Sequence, residues 1–225
     1  SDAEAVHEAR SALARFWTEW VDGLRIVRHE RTIAVLFFVF GLMTFGGTML
    51  DPLDVAWVRD VLGEGPEVYA WLLTTHAAAG IAGTLLVGRF ATPWTPRGLI
   101  GWTSLVAGAA LAVRYNLPAV PVALCMAAVT GATSVVSAIG VETLAQRAVR
   151  DEYRGRVYGS LGASGALLSL LGATTGGALA EVFGIVTMLN VATALIVIAG
   201  LVVFRAFRAQ RGAAGAVSGP TRSRR

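Results

Sequence analysis

Residues 146–156 read Gln146-Arg147-Ala148-Val149-Arg150-Asp151-Glu152-Tyr153-Arg154-Gly155-Arg156, and they run straight into Val157–Ala180, where Tyr158 is the only ionisable side chain. A helix of that length, rising about 1.5 Å per residue, crosses a hydrocarbon core of roughly 30 Å. Short arginine-rich loops stay on the cytoplasmic side of a membrane, so the junction orients the helices on both sides of it. Counting outward from it gives an all-α integral membrane protein.

Composition agrees with this reading. The 225 residues are 55% hydrophobic and only 15% charged, with a mean hydropathy of +0.61, too apolar for a soluble domain of this size. All 19 basic residues are arginine. They are spread between apolar runs rather than gathered on one face, which excludes a nucleic-acid surface despite the net charge of +4. Cys125 is the only cysteine and lies in an apolar run, so neither a disulfide framework nor a thiol metal cluster is expected. No metal, nucleotide or organic cofactor motif is present. No signal peptide stands in the usual place, and the chain reads as a processed form or a fragment.

Six apolar runs are expected to span the membrane, at Thr32–Leu50, Tyr69–Gly88, Gly98–Val113, Leu117–Val141, Val157–Ala180 and Ile185–Phe204. An even number returns the chain to its starting side. Every arginine except Arg59 and Arg114 then falls on one side, while Asp51, Asp54, Asp60, Glu64 and Glu67 gather on the other. Both termini are therefore expected in the cytoplasm and the protein in the cell membrane. Residues 1–31 carry Phe16, Trp17, Trp20 and Leu24 between charged positions, which predicts an amphipathic helix on the cytoplasmic surface; a solvated helix packed on another domain fits the same period. Residues 32–208 form the membrane domain, and the tail 209–225, rich in Gly, Ala, Ser and Arg, is expected to be disordered.

The spans differ in polarity. Gly41, Thr44, Thr48 and Asp51 share one face of the first, and Thr130, Ser134 and Ser137 one face of the fourth, so these faces are expected to line a solute path. The fifth carries Gly165, Ser169, Ala173 and Gly177 on one stripe, with Gly172 and Gly176 beside it, a spacing that lets helix backbones approach closely. The third is short and bland and the sixth is aliphatic after Thr193, so Ile196 and Val197 are expected to face lipid. The greasy member closes each set of three, which points to two trios of helices. His76 is the one histidine inside a span, where an ionisable side chain is costly, and it reads either as a coupling residue with Asp51 as its expected neighbour or as a hydrogen-bonded structural histidine. Asp51 and Asp54 around Pro52 also fit an ordinary polar helix end. Glu142, Asp151 and Glu152 stand close to Arg147, Arg150, Arg154 and Arg156, so the turn can act either as an ion-paired gate or as plain positive-inside charge.

Three pieces of this sequence together resemble the major facilitator superfamily, in the C-terminal six-helix half of its exporter-like members. They are the first span with its outer loop, FVFGLMTFGGTMLDPLDVAWVRDVLG; the loop Q-x-x-V-x-x-E-x-R-G-R-V-Y-G from Gln146 to Gly159; and the close G-x-x-x-G-G-x-L-A-x-x-F-G from Gly172 to Gly184. The resemblance implies helices seven to twelve of twelve, with the first and fourth spans lining the cavity and Glu142, Glu152, Arg154 and Arg156 at a cytoplasmic gate. It also implies transport of a small molecule by alternating access, by proton-coupled antiport. The partners it implies are the lipid bilayer, a small-molecule solute, and an N-terminal six-helix half or a second copy. Of the family's Gly and Asp-Arg signature between the second and third spans, only Gly83, Gly88 and Arg89 remain. A non-transporting six-span scaffold or assembly subunit is the alternative. Gly162-Ala163-Ser164-Gly165 is similar to the serine motif of rhomboid proteases, but a nucleophilic serine needs a base and the sixth span holds no histidine, so no enzyme is expected.

Overall fold

The computed structural model describes residues 31–90, 95–149 and 154–217. The expected surface helix in residues 1–30, Glu152 within 150–153, and the end of the tail at 218–225 lie outside the described residues. Those described form six helices and no strand: α1 (Arg31–Asp60), α2 (Pro66–Phe90), α3 (Pro96–Asn116), α4 (Val120–Ala148), α5 (Arg154–Phe183) and α6 (Ile185–Val217). Five of them, all but α2, are long and apolar enough to cross a membrane. Helix α2 has 25 residues, also enough to cross.

Two boundaries differ from the sequence reading. Asp51–Asp60, expected as the start of an outer loop, continues α1 with Pro52 inside the helix. Proline has no N–H for the carbonyl of Thr48 and ordinarily marks an end. Here Leu53, Trp57 and Val58 carry the buried face of α1 onward beyond it, and packing decides against the local signal. At the other end of the chain α6 runs past Ala209, where the tail was expected to begin, to Val217.

The helices pack in a regular pattern. Helix α1 lies along α5 and α6, α4 lies along α2 and α3, and α3 lies along α6, with lighter contacts of α1 to α2 and α4 and of α5 to α6. Exchanging α1 with α4, α2 with α5 and α3 with α6 carries four of the five main contacts onto one another and the α3–α6 contact onto itself. A repeat of three helices produces such a pattern. Small residues make the α1–α5 and α2–α4 contacts possible: a Cβ on Gly172 would strike the Thr48 hydroxyl, and one on Gly131 would strike the backbone carbonyl of His76. Close backbone approach of this kind replaces hydrophobic driving force as the source of cohesion between helices in lipid.

Side chains fill the bundle in two lobes. Near the arginine-rich end Ile33, Leu36, Ile100, Val157 and Val203 pack together. Near the acidic end Met49, Trp57, Leu72, Tyr115, Leu189 and Ala192 do so. Helix α6 is wedged between α1 and α3 rather than standing outside them: Val197 meets Gly108 of α3. The broadest uncovered apolar faces are instead on α2 (Trp71, Ile81, Leu85) and α5 (Leu170, Val182, Phe183). Helices α5 and α6 are joined by Gly184 alone, at φ +86°, a left-handed conformation that glycine adopts without steric cost.

Candidate functional site

A cavity of about 360 Å³ opens among α1, α2, α3 and α4, with Ile196 of α6 on its wall. That volume is within the range of small-molecule sites. Each helix contributes one stripe at three- and four-residue steps: Asp51 and Asp54 from α1, Tyr69 and His76 from α2, Ser104, Leu111 and Arg114 from α3, and Thr130, Ser134 and Ser137 from α4. The structure therefore places Asp51, His76, Thr130, Ser134 and Ser137 on the wall of one cavity. Thr44 and Thr48 are not on the cavity wall. Thr48 faces Gly172 of α5, and its hydroxyl donates to the Thr44 carbonyl at 2.9 Å. Ile196, expected to face lipid, lines the cavity, and Val197 also points inward.

Most hydroxyls on this wall donate to their own helix. Thr133 donates to Val129 O at 2.8 Å, Ser134 to Gly131 O at 2.9 Å and Thr130 to Ala127 O at 3.0 Å. Such back-bonding satisfies a hydroxyl in any surroundings, so a threonine in a span is weaker evidence for a polar path than its polarity alone implies. Ser137 is the exception, buried with no partner for its Oγ among the described residues.

His76 stands 3.3 Å from Thr130 through Nδ1, not beside Asp51. Thr130 Oγ1 also lies 3.0 Å from Ala127 O, so its one proton serves either that carbonyl or the ring, and Nδ1 is the donor in the first arrangement and the acceptor in the second. The cause of the placement is the α2–α4 crossing, where Gly131 lets the His76 backbone come close enough for its ring to reach the next residue of α4.

The strongest electrostatic feature is one that sequence reading missed. Arg114 Nη2 pairs with Asp54 Oδ2 at 3.1 Å, and the Tyr115 hydroxyl donates to Asp54 Oδ1 at 2.7 Å. The guanidinium lies 5.5 Å from the centroid of Trp57 and 5.3 Å from that of Tyr115, and these two rings meet edge to face. Both oxygens of Asp54 are thus engaged, as a buried charge pair requires, while Asp51 makes no hydrogen bond or ion pair within the described residues. The signal that could have found the cluster is Arg114-Tyr115 following an apolar run, with Asp54-x-x-Trp57 on the helix opposite. A third span ended at Val113 left it in solvent.

At the arginine-rich end, Glu142 accepts from Gln146 Nε2 and from the Tyr158 hydroxyl, both at 2.9 Å, and so ties the end of α4 to the start of α5. Arg154 is exposed at the start of α5, while the side chain of Arg156 lies outside the description. Of the packing glycines, Gly165, Gly172 and Gly176 meet Phe40, Phe45, Thr48 and Met49 of α1, whereas Gly177 faces open space. No group of three or more metal-ligating side chains forms among the described residues.

Comparisons with curated proteins and with solved structures return no match. The sequence model of the Major Facilitator Superfamily matches residues 7–223, nearly the whole chain, and its members are secondary transporters of small molecules rather than enzymes. The chain with its long apolar helices and polar cavity therefore belongs to the major facilitator superfamily, as a multi-pass membrane protein.

Proposed function

We propose that this chain is the C-terminal six-helix half of an exporter that moves a small amphiphilic molecule by alternating access. The observation that carries the reading is the cavity among α1–α4, which sets one unpaired carboxylate, Asp51, and the His76–Thr130 pair among apolar walls. Helix α2 is the sixth span on this reading, since it runs alongside α4 and is of spanning length. The contact pattern among the six helices supports two trios, and the bias of arginine to one end supports cytoplasmic termini in the cell membrane. The wide apolar faces of α2 and α5 are where the N-terminal half, or a second copy, packs. Asp51, Thr130, Ser134 and Ser137 line the path, and His76 couples it to protons.

The test is uptake of a fluorescent amphiphilic dye into everted vesicles carrying the protein within its parent chain, driven by an imposed proton gradient. Uptake that collapses with the gradient and falls at least about tenfold in Asp51→Asn, roughly 1.4 kcal/mol of lost stabilisation, is the expected result. Uptake indifferent to both would favour the scaffold reading.

A further inference from the structure

The second large cavity, about 1070 Å³, lies at the opposite, arginine-rich end of the bundle and shares no residue with the solute cavity. Three helices bring an arginine to it: Arg97 at the start of α3, Arg147 at the end of α4 and Arg205 on α6. No carboxylate lines it among the described residues. Arg147 and Arg205 are exposed and have no hydrogen-bonding or ion-pair partner there. The N-terminus of α3 opens into the same space, with Thr95 Oγ1 accepting from Gly98 N at 3.2 Å, and so adds the positive end of a helix dipole.

The remaining wall is apolar. Trp102 is 55% exposed and meets Phe204 edge to face at 5.6 Å, with Leu105 and Leu201 beside them. These side chains belong to α3 and α6, whose backbones Gly101 and Gly200 bring together. Trp102 lies about 9 Å, nearly two helical turns, inside the start of α3, within reach of the membrane interface where tryptophan anchors. Cationic groups at the rim and a greasy floor running toward the membrane interior match a molecule built the same way, with an anionic head and an apolar tail. A free phosphate would use the arginines and leave Trp102, Leu105 and Leu201 without a role.

We propose that this groove is a binding site for an anionic phospholipid, with the phosphate held by Arg97, Arg147 and Arg205 and the start of an acyl chain laid over Trp102 and Leu105. Bound there, the lipid staples the ends of α3, α4 and α6 together at the membrane surface. The site does not depend on which solute the carrier moves or in which direction.

The experiment is native mass spectrometry of the full chain in detergent, titrated with phosphatidylglycerol, with phosphatidylcholine of the same acyl chains, and with soluble glycerol phosphate as competitor. Phosphatidylglycerol is expected to be retained in preference to phosphatidylcholine. Replacing two surface arginines at about fivefold each lowers that retention roughly twenty-five-fold in the Arg147→Gln/Arg205→Gln double variant. Phosphatidylcholine binding stays unchanged, Arg59→Gln at the far end has no effect, and Trp102→Ala weakens the lipid without touching glycerol phosphate. Undiminished phosphatidylglycerol retention in the double variant overturns the proposal. So does competition by glycerol phosphate as strong as by the lipid, which makes this a plain phosphate site. Absence of any preference in the wild type also overturns it, and leaves the groove to another occupant such as residues 1–30. Should the double variant not fold, each single variant, checked by thermal unfolding, is expected to show its own roughly fivefold loss.

Discussion

Arg114 is the one charged side chain buried among the described residues, and its surroundings explain why it can be. Asp54 neutralises it, Trp57 and Tyr115 offer ring faces to its delocalised charge, and Nε is left buried without a hydrogen bond among the described residues. Removing one partner strands the other charge in a low dielectric, so Asp54→Ala or Arg114→Leu should lower stability by about 3–5 kcal/mol, whereas Tyr115→Phe should cost about 1–3 kcal/mol. Thermal unfolding in detergent reads both, and equal effects of the three variants would remove the case for a charge pair. For His76, the prediction follows from its place on the cavity wall. Held against Thr130 at the α2–α4 crossing, it is the one imidazole lining the cavity, and His76→Gln should flatten the dependence of transport between about pH 5 and 8. Glutamine keeps a donor for Thr130, so melting should be nearly unchanged; a wild-type pH profile in that variant would make His76 structural. Sequence reading placed His76 inside a helix and marked it as costly. It could not choose Thr130 over Asp51, because that choice depends on how closely α2 crosses α4, and the determinant of the crossing is Gly131, a residue without side-chain chemistry of its own.

Helices were the most legible level, and α5 shows both the reach and the limit of reading them. Its small residues mark it as a packing helix, yet period alone grouped Gly177 with Gly165, while the packed set is Gly165, Gly172 and Gly176. The two sets lie on adjoining strips of one helix, and only the position of α1 decides between them. Gly176→Leu must push its side chain into Met49 and should cost several kcal/mol, on the scale of about 1–3 for overpacking plus the lost close approach. Gly177→Leu should leave the melting temperature of the isolated chain within the error of the measurement. Equal losses at the two positions would mean that α5 packs in a different rotation. Helix α1 shows the opposite kind of error. A proline between two aspartates is a reliable local end signal, and it lost to the burial of Leu53, Trp57 and Val58, which no window around Pro52 weighs.

At the scale of the molecule, the arrangement of the spans predicts which positions water can reach. With Cys125, itself exposed, replaced by alanine, a cysteine at Ser134 should react with a membrane-impermeant thiol reagent, while cysteines at Leu85 and Ile198 should not. Reaction of all three would place no cavity among α1–α4. The six helices were legible because hydropathy acts residue by residue and simply adds along the chain. The neighbour relations were not, since Ile196 and Val197 look like lipid contacts until α6 is seen between α1 and α3. That position of α6 gives weight to Gly184. Five residues separate α1 from α2 and three separate α3 from α4, but one joins α5 to α6. There is no slack at this elbow. A tilt of α5 is expected to reach α6 directly, and through it the helices α1 and α3 packed on either side, so the tightest corner among the described residues ties one helix to three others.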